Sequence, residues 1–104
     1  MSKIIIGMGI RVRLYSRLKE IAGTDEIILN QVPRNVGELI ESISRTFGEE
    51  FRKAVYQEER LRDNLMILVN GHSIKLLKGI ETPLTEDDNV SIDVIDLVEI
   101  IGGG

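Results

Sequence analysis

The residues with the clearest chemical potential are three consecutive glycines, Gly102, Gly103 and Gly104, at the end of the sequence. Glycine has no Cβ and reaches backbone conformations that other residues avoid. Such a segment can enter a narrow channel, and the only reactive group it offers there is the terminal carboxylate of Gly104. We therefore predict that Gly104 carries the reacting group and that Gly103 keeps the approach to it open.

Apolar residues precede the glycines: Ile100 and Ile101 directly, and Val98 a little earlier. We expect a groove on a partner protein to bury these side chains, and the alternative is a continued strand. The whole tail also has a simpler interpretation, because chain ends are often frayed and short glycine runs can be cloning remnants. The domain in front of the tail must decide between these interpretations.

The composition narrows the function classes. The 104 residues suit one domain, and 13 basic against 17 acidic residues give a net charge of −4. Nucleic-acid binding relies on clustered Lys and Arg, so an acidic chain with 4% aromatic residues favours a basic protein surface as its partner. The sequence has no cysteine, which excludes disulfides, thiolate metal sites, a cysteine nucleophile and dithiol redox chemistry within it.

Neither a signal peptide nor an apolar stretch of roughly 20 residues, the length of a membrane helix, is evident. We therefore expect a cytoplasmic protein that binds neither nucleic acid nor membrane. We interpret residues 1–8 as an N-terminal extension. Gly7 and Gly9 lack the third glycine and the following helix of a dinucleotide-binding loop.

Two further patterns carry little functional weight. His72 is the only histidine, and because no serine or carboxylate partner can be assigned to it, we expect an exposed polar residue near a turn. The acidic run Glu86-Asp87-Asp88 lacks the alternating ligands of a calcium loop. We predict a solvated turn there, no metal site, and no autonomous enzyme.

Periodicity in the first half predicts a strand, a short helix, a second strand and a long helix. The strand Ile10 to Leu14 alternates apolar and basic residues, and the helix Ser16 to Ala22 ends at Gly23. Thr24 to Asn30 is the second predicted strand. The long helix begins after the N-cap residue Asn35, with Glu38 completing a capping box, and ends at Gly48. Its apolar stripe comprises Val36, Leu39, Ile40, Ile43 and Phe47.

The second half predicts one more helix and three strands. For residues 49–62 we predict a second, more exposed helix, with residues 58–63 as its solvated end. The strand Leu65 to Val69, the turn Asn70-Gly71 and the partner strand Ser73 to Leu77 form a predicted hairpin. Leu84 anchors a polar turn before the last strand, in which Val90, Ile92 and Val94 alternate with polar residues. One sheet on one main helix is an α+β roll, with its first and last strands parallel at the centre.

This layout resembles the ubiquitin-like β-grasp fold, and four stretches are similar to the MoaD/ThiS-like sulfur-carrier family, which includes the small subunit of molybdopterin synthase and the archaeal small modifiers. The stretches cover the first strand and helix, the start of the long helix, the hairpin turn and the turn before the last strand; they are residues 12–23, 36–40, 69–71 and 83–90. The closing diglycine, Gly103-Gly104, completes the resemblance. One departure is that residues 96–101 contain no proline, which this family usually has just before its diglycine.

The resemblance implies a function for the tail. A separate E1-like enzyme would use ATP in trans to adenylate Gly104, and a sulfur donor would convert the adenylate to a thiocarboxylate for molybdopterin biosynthesis. The protein itself would bind no cofactor and would be a non-catalytic subunit, with the molybdopterin synthase large subunit as its partner. Two alternatives remain: a protein modifier conjugated to lysines of target proteins, and a β-grasp binding module whose tail is incidental.

We predict a β-grasp domain over residues 9–96 and a flexible diglycine tail over residues 97–104. Because the strand Leu65 to Val69 is apolar at every position, we expect one sheet face to expose Met66 and Leu68 to partners; the alternative is that a helix and loops cover them. Tyr15 matches an aromatic position that the family uses against its partners. Its alternative role is that of an edge residue with its hydroxyl in water.

Overall fold

A computed structural model describes residues 9–95 of the chain. A five-stranded mixed sheet with the order β2-β1-β7-β5-β6 dominates this part, and a two-stranded sheet pairs β3 with β4. The strands are Ile10–Leu14 (β1), Glu26–Leu29 (β2), Tyr56–Gln57 (β3), Arg60–Leu61 (β4), Leu65–Val69 (β5), His72–Ser73 (β6) and Asn89–Val94 (β7). The helices are Ser16–Ala22 (α1), Val36–Phe47 (α2) and Glu49–Val55 (α3), with 3-10 helices at Ile74–Leu76 and Gly79–Glu81.

The centre of the main sheet is the parallel pair of β1 and β7, as the sequence predicts. β2 and β5 flank this pair in antiparallel orientation. Strand side chains alternate between the two faces, so Ile10, Val12 and Leu14 enter the core while the arginines between them stay exposed. The predicted α+β architecture, with its mixed sheet on one main helix, is therefore confirmed.

The predicted long helix is confirmed as α2. The side chain of Asn35 accepts a hydrogen bond from the backbone N–H of Glu38 at 2.9 Å, as an N-cap residue should. The carboxylate of Glu38 accepts from the backbone N–H of Arg34, one residue before the cap. Four residues of the predicted stripe, Val36, Leu39, Ile40 and Ile43, are buried against the sheet, and Phe47 is partly buried.

The prediction of a helix over residues 49–62 is wrong beyond Val55. Helix α3 ends there, and β3 and β4 form a small hairpin across Glu58 and Glu59, whose φ angles are 52° and 70°. Two consecutive residues with positive φ make a tight turn and cannot continue a right-handed helix. Residues 58–63 are therefore a turn and a strand rather than a solvated helix end. The segment is also less exposed than predicted, because Phe51 and Val55 are fully buried.

The hairpin turn at Asn70-Gly71 is confirmed, with φ angles of 52° and 88°. The predicted partner strand Ser73 to Leu77 is wrong after Ser73. The Ser73 hydroxyl accepts a hydrogen bond from the backbone N–H of Lys75 at 3.1 Å, which favours the turn of a 3-10 helix over an extended chain.

Leu84 is buried, so the predicted anchor of the polar turn is confirmed. The second strand, β2, begins two residues later and ends one residue earlier than predicted.

Residues 9–95 share one hydrophobic cluster that joins all three helices to the main sheet. The predicted N-terminal extension (1–8) and C-terminal tail (97–104) lie outside the described residues.

Candidate functional site

The outward face of the sheet carries most of the candidate residues. Along β5, Met66 and Leu68 point away from the core, and along β7, Ser91 and Asp93 do the same. The strand register places Met66 beside Asp93 and Leu68 beside Ser91. These four side chains therefore form a compact patch over two paired strands.

Tyr15 closes this patch at the end of β1. Its backbone N–H donates to the carbonyl of Ile92 at 3.2 Å, and its carbonyl accepts from the N–H of Leu18 at 3.1 Å. Tyr15 thus extends the pairing of β1 with β7 by one residue and also begins α1 as the N-cap residue. Its position is fixed by a strand and a helix together.

The five residues line one open pocket of about 190 Å³; they are Tyr15, Met66, Leu68, Ser91 and Asp93. We call this the outer-face pocket. Tyr15 is 41% exposed and Met66 44% exposed, so the two large side chains present apolar surface to solvent. Among the described residues, no helix or loop covers Met66, whereas Leu68 is only partly exposed.

A second cavity shares Met66 and Leu68 with the outer-face pocket. It measures about 460 Å³, and its lining includes residues 61–68, residues 73–75 and Ile95. We call the exposed Met66 and the partly exposed Leu68, which line both depressions, the ridge. An exposed apolar surface beside such depressions is typical of a protein-binding surface.

Asp93 adds a polar feature to the outer-face pocket. Its Oδ1 atom is buried and has no hydrogen-bond partner within residues 9–95. A buried carboxylate oxygen without a donor costs free energy, and no basic side chain within residues 9–95 pairs with this carboxylate.

The chain leaves the sheet next to this surface. Beyond β7, the N–H of Ile95 donates to the carbonyl of Asn64 at 2.7 Å. The side-chain amide of Asn64 donates to the carbonyl of Ile95 at 3.1 Å. Asn64 therefore holds both backbone groups of Ile95 and extends the register of β5 and β7 by one pair, at the base of the C-terminal segment.

A polar cluster on the helical side joins three elements. The Arg52 guanidinium donates to both carboxylate oxygens of Glu41, at 3.3 and 3.2 Å, and the Tyr56 hydroxyl donates to Glu41 at 3.2 Å. The hydrogen bond from Arg52 holds the pKa of Glu41 below its usual value, and burial raises the pKa of the Tyr56 phenol. The cluster ties α2 to α3 and β3, a structural role.

The structure brings together the predicted partner residues Tyr15, Met66 and Leu68. Gly102, Gly103, Gly104, Ile100, Ile101 and Val98 lie outside the described residues. His72 is exposed at the hairpin, as predicted. Within residues 9–95, no group of three His, Cys, Asp or Glu side chains is arranged to hold a metal ion, and no helix has the length and apolarity needed to cross a membrane.

Sequence reasoning missed Ser91, Asp93 and Asn64 as site residues. The first two carry a usable signal: polar residues alternating with buried ones in the last strand must share a face with the exposed residues of its neighbour. Asn64 carries no such signal, because its contact with Ile95 joins residues 31 positions apart.

Comparison with known proteins relates this chain to a family of small proteins. The model of the ThiS family matches residues 12–104, a range that includes the three glycines. A protein of Archaeoglobus fulgidus whose name gives it a provisional role as a sulfur carrier is 30% identical over 97 residues, 93% of this chain and 100% of that protein.

Two solved structures agree with this match. The small archaeal modifier protein 1 of Methanosarcina acetivorans has 25% identity and a TM-score of 0.76, with 85% of this chain and 93% of that chain covered. A candidate molybdopterin converting factor, subunit 1, of Pyrococcus furiosus has 25% identity and a TM-score of 0.66, with 86% and 99% covered. The expected ubiquitin-like β-grasp fold is thereby confirmed, and the chain belongs to the ThiS family of small sulfur carriers and ubiquitin-like modifiers.

Proposed function

We propose that this protein is a sulfur carrier whose Gly104 carboxylate is adenylated by an E1-like enzyme and converted to a thiocarboxylate. The observation that carries the proposal is the family match, because it continues past the folded domain and includes residues 102–104. Members of this family are non-catalytic carriers, so partner enzymes supply the chemistry and consume ATP, an arrangement that suits the cytoplasm.

The reaction requires activation because a carboxylate resists nucleophilic attack at neutral pH. Attack of the Gly104 carboxylate on the α-phosphate of ATP forms an acyl adenylate and releases pyrophosphate. A sulfide-level donor then attacks the acyl carbon, AMP leaves, and a thiocarboxylate remains. Gly103 and Gly104 suit both steps, because a Cβ next to the reacting carbon would narrow the approach of the nucleotide and of the sulfur donor.

The folded domain supplies recognition rather than catalysis. The outer-face pocket and the ridge of Met66 and Leu68 give a partner an apolar docking surface. Ile95, fastened by Asn64, lines the second cavity, which shares that ridge. Eight residues lie between Ile95 and Gly104, so the two are at most roughly 30 Å apart when the chain is extended. A docked activating enzyme would therefore have its active site within that radius.

We propose molybdopterin biosynthesis as the pathway that receives the sulfur, with the molybdopterin synthase large subunit as the acceptor partner. The Pyrococcus furiosus structure, whose name places it in molybdopterin conversion, supports this choice. A second candidate is conjugation to lysines of target proteins. The Methanosarcina acetivorans small modifier favours it, since it has a higher TM-score at the same identity. Both candidates share the adenylation step.

Intact-mass spectrometry tests the shared proposal. Incubation with ATP, an E1-like enzyme and a sulfide donor should add the mass difference of one sulfur replacing one oxygen, and deletion of Gly104 should abolish the gain. An unchanged mass with an enzyme that activates a known carrier would contradict the proposal. Partner binding that is independent of residues 103–104, without any mass gain, would instead support an incidental tail on a binding module.

A second experiment separates carrier from modifier. Lys78 is the last basic residue of the chain, so trypsin would leave a very long remnant on a modified lysine. The variant Ile101→Arg shortens that remnant to the three glycines. Cellular proteins that carry this remnant on lysines would establish conjugation; an Ile101→Arg protein that still gains sulfur but leaves no remnant would favour the carrier role alone.

A further inference from the structure

The outer-face pocket has a composition that predicts more than general apolar docking. Tyr15, Met66 and Leu68 give it aromatic and aliphatic walls, and Ser91 and Asp93 give it a polar side. A volume of about 190 Å³ corresponds to roughly six water molecules at about 30 Å³ each. The pocket can therefore receive one large side chain from a partner.

The carboxylate of Asp93, which lines the pocket, defines the chemistry of that side chain. No ion pair within residues 9–95 includes it. The nearest arginine on the neighbouring strand, Arg13, lies opposite Ser91 rather than Asp93, and its guanidinium faces Glu26 at 4.0 Å. The carboxylate of Asp93 therefore remains available to a cationic donor that enters from outside the described chain.

Arginine fits this environment better than lysine. A guanidinium donates charge-assisted hydrogen bonds to a carboxylate and also stacks on an aromatic ring. Its aliphatic stem packs on apolar side chains such as those of Met66 and Leu68. The acidic balance of the whole chain, a net charge of −4, favours approach of a basic surface.

We propose that the outer-face pocket binds an arginine side chain of the partner protein, with Asp93 as the specificity-determining residue. The inference deepens the proposed function, on which the identity of that partner rests. In the free protein this carboxylate has no cationic partner among the described residues, and in the complex it gains a charge-assisted pair.

A small-molecule probe tests the pocket without any partner. NMR titration compares N-acetyl-arginine methylamide with N-acetyl-citrulline methylamide, which has nearly the same shape and no charge. We expect the arginine probe, and not the citrulline probe, to shift the backbone amides of Tyr15, Ser91 and Asp93 in the wild type. Asp93→Asn should abolish that difference. Equal shifts with the two probes would overturn the arginine assignment.

Binding to the activating enzyme gives the second test. Asp93→Asn should weaken the complex by about ten-fold or more, the size expected for a charge-assisted hydrogen bond. Asp25→Asn is the matched control, because it removes the same charge from an exposed residue at the start of β2, and it should change affinity less than two-fold. Equal affinities of the two variants would overturn the proposal.

Stability measurements separate this role from a structural one. Because Oδ1 of Asp93 is buried without a donor, Asp93→Asn should keep or raise the thermal midpoint while it weakens binding. If Asp93→Asn lowered both the thermal midpoint and the affinity for the partner, Asp93 would be a structural residue, which would contradict the proposal. A wild-type protein that distinguishes the two probes but gains no sulfur would refute the proposed function and leave the pocket assignment intact.

Discussion

Met66 illustrates how one residue acquires a role through its neighbours. Met66 and Leu68 both alternate with buried residues along β5, but Met66 is the more exposed of the two, lines two depressions and lies beside Asp93. A side chain in such a central position commonly contributes more to association than those at the rim. Methionine also adapts its shape to different partner surfaces, which suits the proposed function, in which an activating enzyme and then an acceptor bind the protein.

Truncation of Met66 tests the ridge. Met66→Ala should weaken binding to the activating enzyme by about ten-fold, the usual effect of losing a central interface side chain. Ile80→Ala is the control, because Ile80 is similarly exposed but lines a different depression, whose other lining residues include Glu38 and Glu41 of α2. Isothermal titration calorimetry measures both. A larger effect of Ile80→Ala would move the binding surface to the helical side.

At the scale of elements, hydrogen bonds from side chains complete the pairing of β5 and β7 at both ends. At one end, Asn70 donates to the carboxylate of Asp88 and accepts from the N–H of Asn89, both at 2.9 Å. At the other end, Asn64 fastens Ile95. The ladder therefore has a turn at one end and the exit of the C-terminal segment at the other, with one asparagine at each.

The variant Asn64→Ala tests the exit. It removes one hydrogen bond to Ile95, worth about 1 kcal/mol, so exchange of the Ile95 amide hydrogen should accelerate about five-fold. The control Asn70→Gly retains the positive φ of that turn and removes a comparable pair of contacts at the far end. It should leave Ile95 exchange unchanged in NMR measurements. Equal acceleration in both variants would mean that the exit opens only with the whole ladder.

The cluster of Glu41, Arg52 and Tyr56, which joins α2 to α3 and β3, predicts that the free energy of unfolding depends on pH. Because the pKa of Glu41 is lowered in the folded protein, its contribution to stability is present above the ordinary glutamate pKa of about 4.3. It is lost as the pH falls through the lower folded value. Glu41→Gln should therefore reduce the free energy of unfolding at pH 7 and have a smaller effect at pH 3.

Urea unfolding of the wild type and of Glu41→Gln between pH 7 and pH 3 measures the difference in their free energies of unfolding. The expected effect is modest, because the side chain of Glu41 is more than one-third exposed and water screens the pair. Glu38→Gln is a useful control, because the arginine that pairs with Glu38, Arg34, lies only four residues before it and does not join α2 to α3. A difference for Glu41→Gln that grows toward low pH would refute the assigned role of Arg52.

At the scale of the whole molecule, stability depends on a single aliphatic core that Phe51 completes. Phe51 is fully buried, and its ring centroid lies 5.5 Å from that of Phe47, which is only partly buried. α3 thereby joins α2 and the sheet in one cluster. Since a domain of this size is stable by about 5–15 kcal/mol, one large core side chain is a considerable part of the total.

Phe51→Ala should reduce the free energy of unfolding by about 3–5 kcal/mol, the usual cost of removing a buried aromatic ring. Phe47→Ala removes the same group from a partly buried position and should cost clearly less. Denaturant midpoints at constant slope give both values. Similar costs for the two variants would contradict the difference in burial.

The sequence by itself determined the elements whose periodicity is regular over several turns or pairs. The stripe of α2, the alternation of β1 and β7 and the turn at Asn70-Gly71 follow from local spacing and backbone preference, and the structure has them where they were predicted. The choice of Tyr15, Met66 and Leu68 also came from the sequence, through alternation and family resemblance. The role of the glycines stays a prediction, because residues 102–104 lie outside the described chain.

Only the tertiary structure decided where the short helices and strands end and which residues far apart in the sequence are in contact. Helix α3 stops at Val55 because Glu58 and Glu59 form a turn, and glutamate carries no local signal for positive φ. Asn64 meets Ile95, and Tyr15 lines a pocket with Asp93, because strand register brings together positions far apart in the chain. Local spacing predicts which face a side chain occupies, and only the packed sheet determines which neighbours it has there.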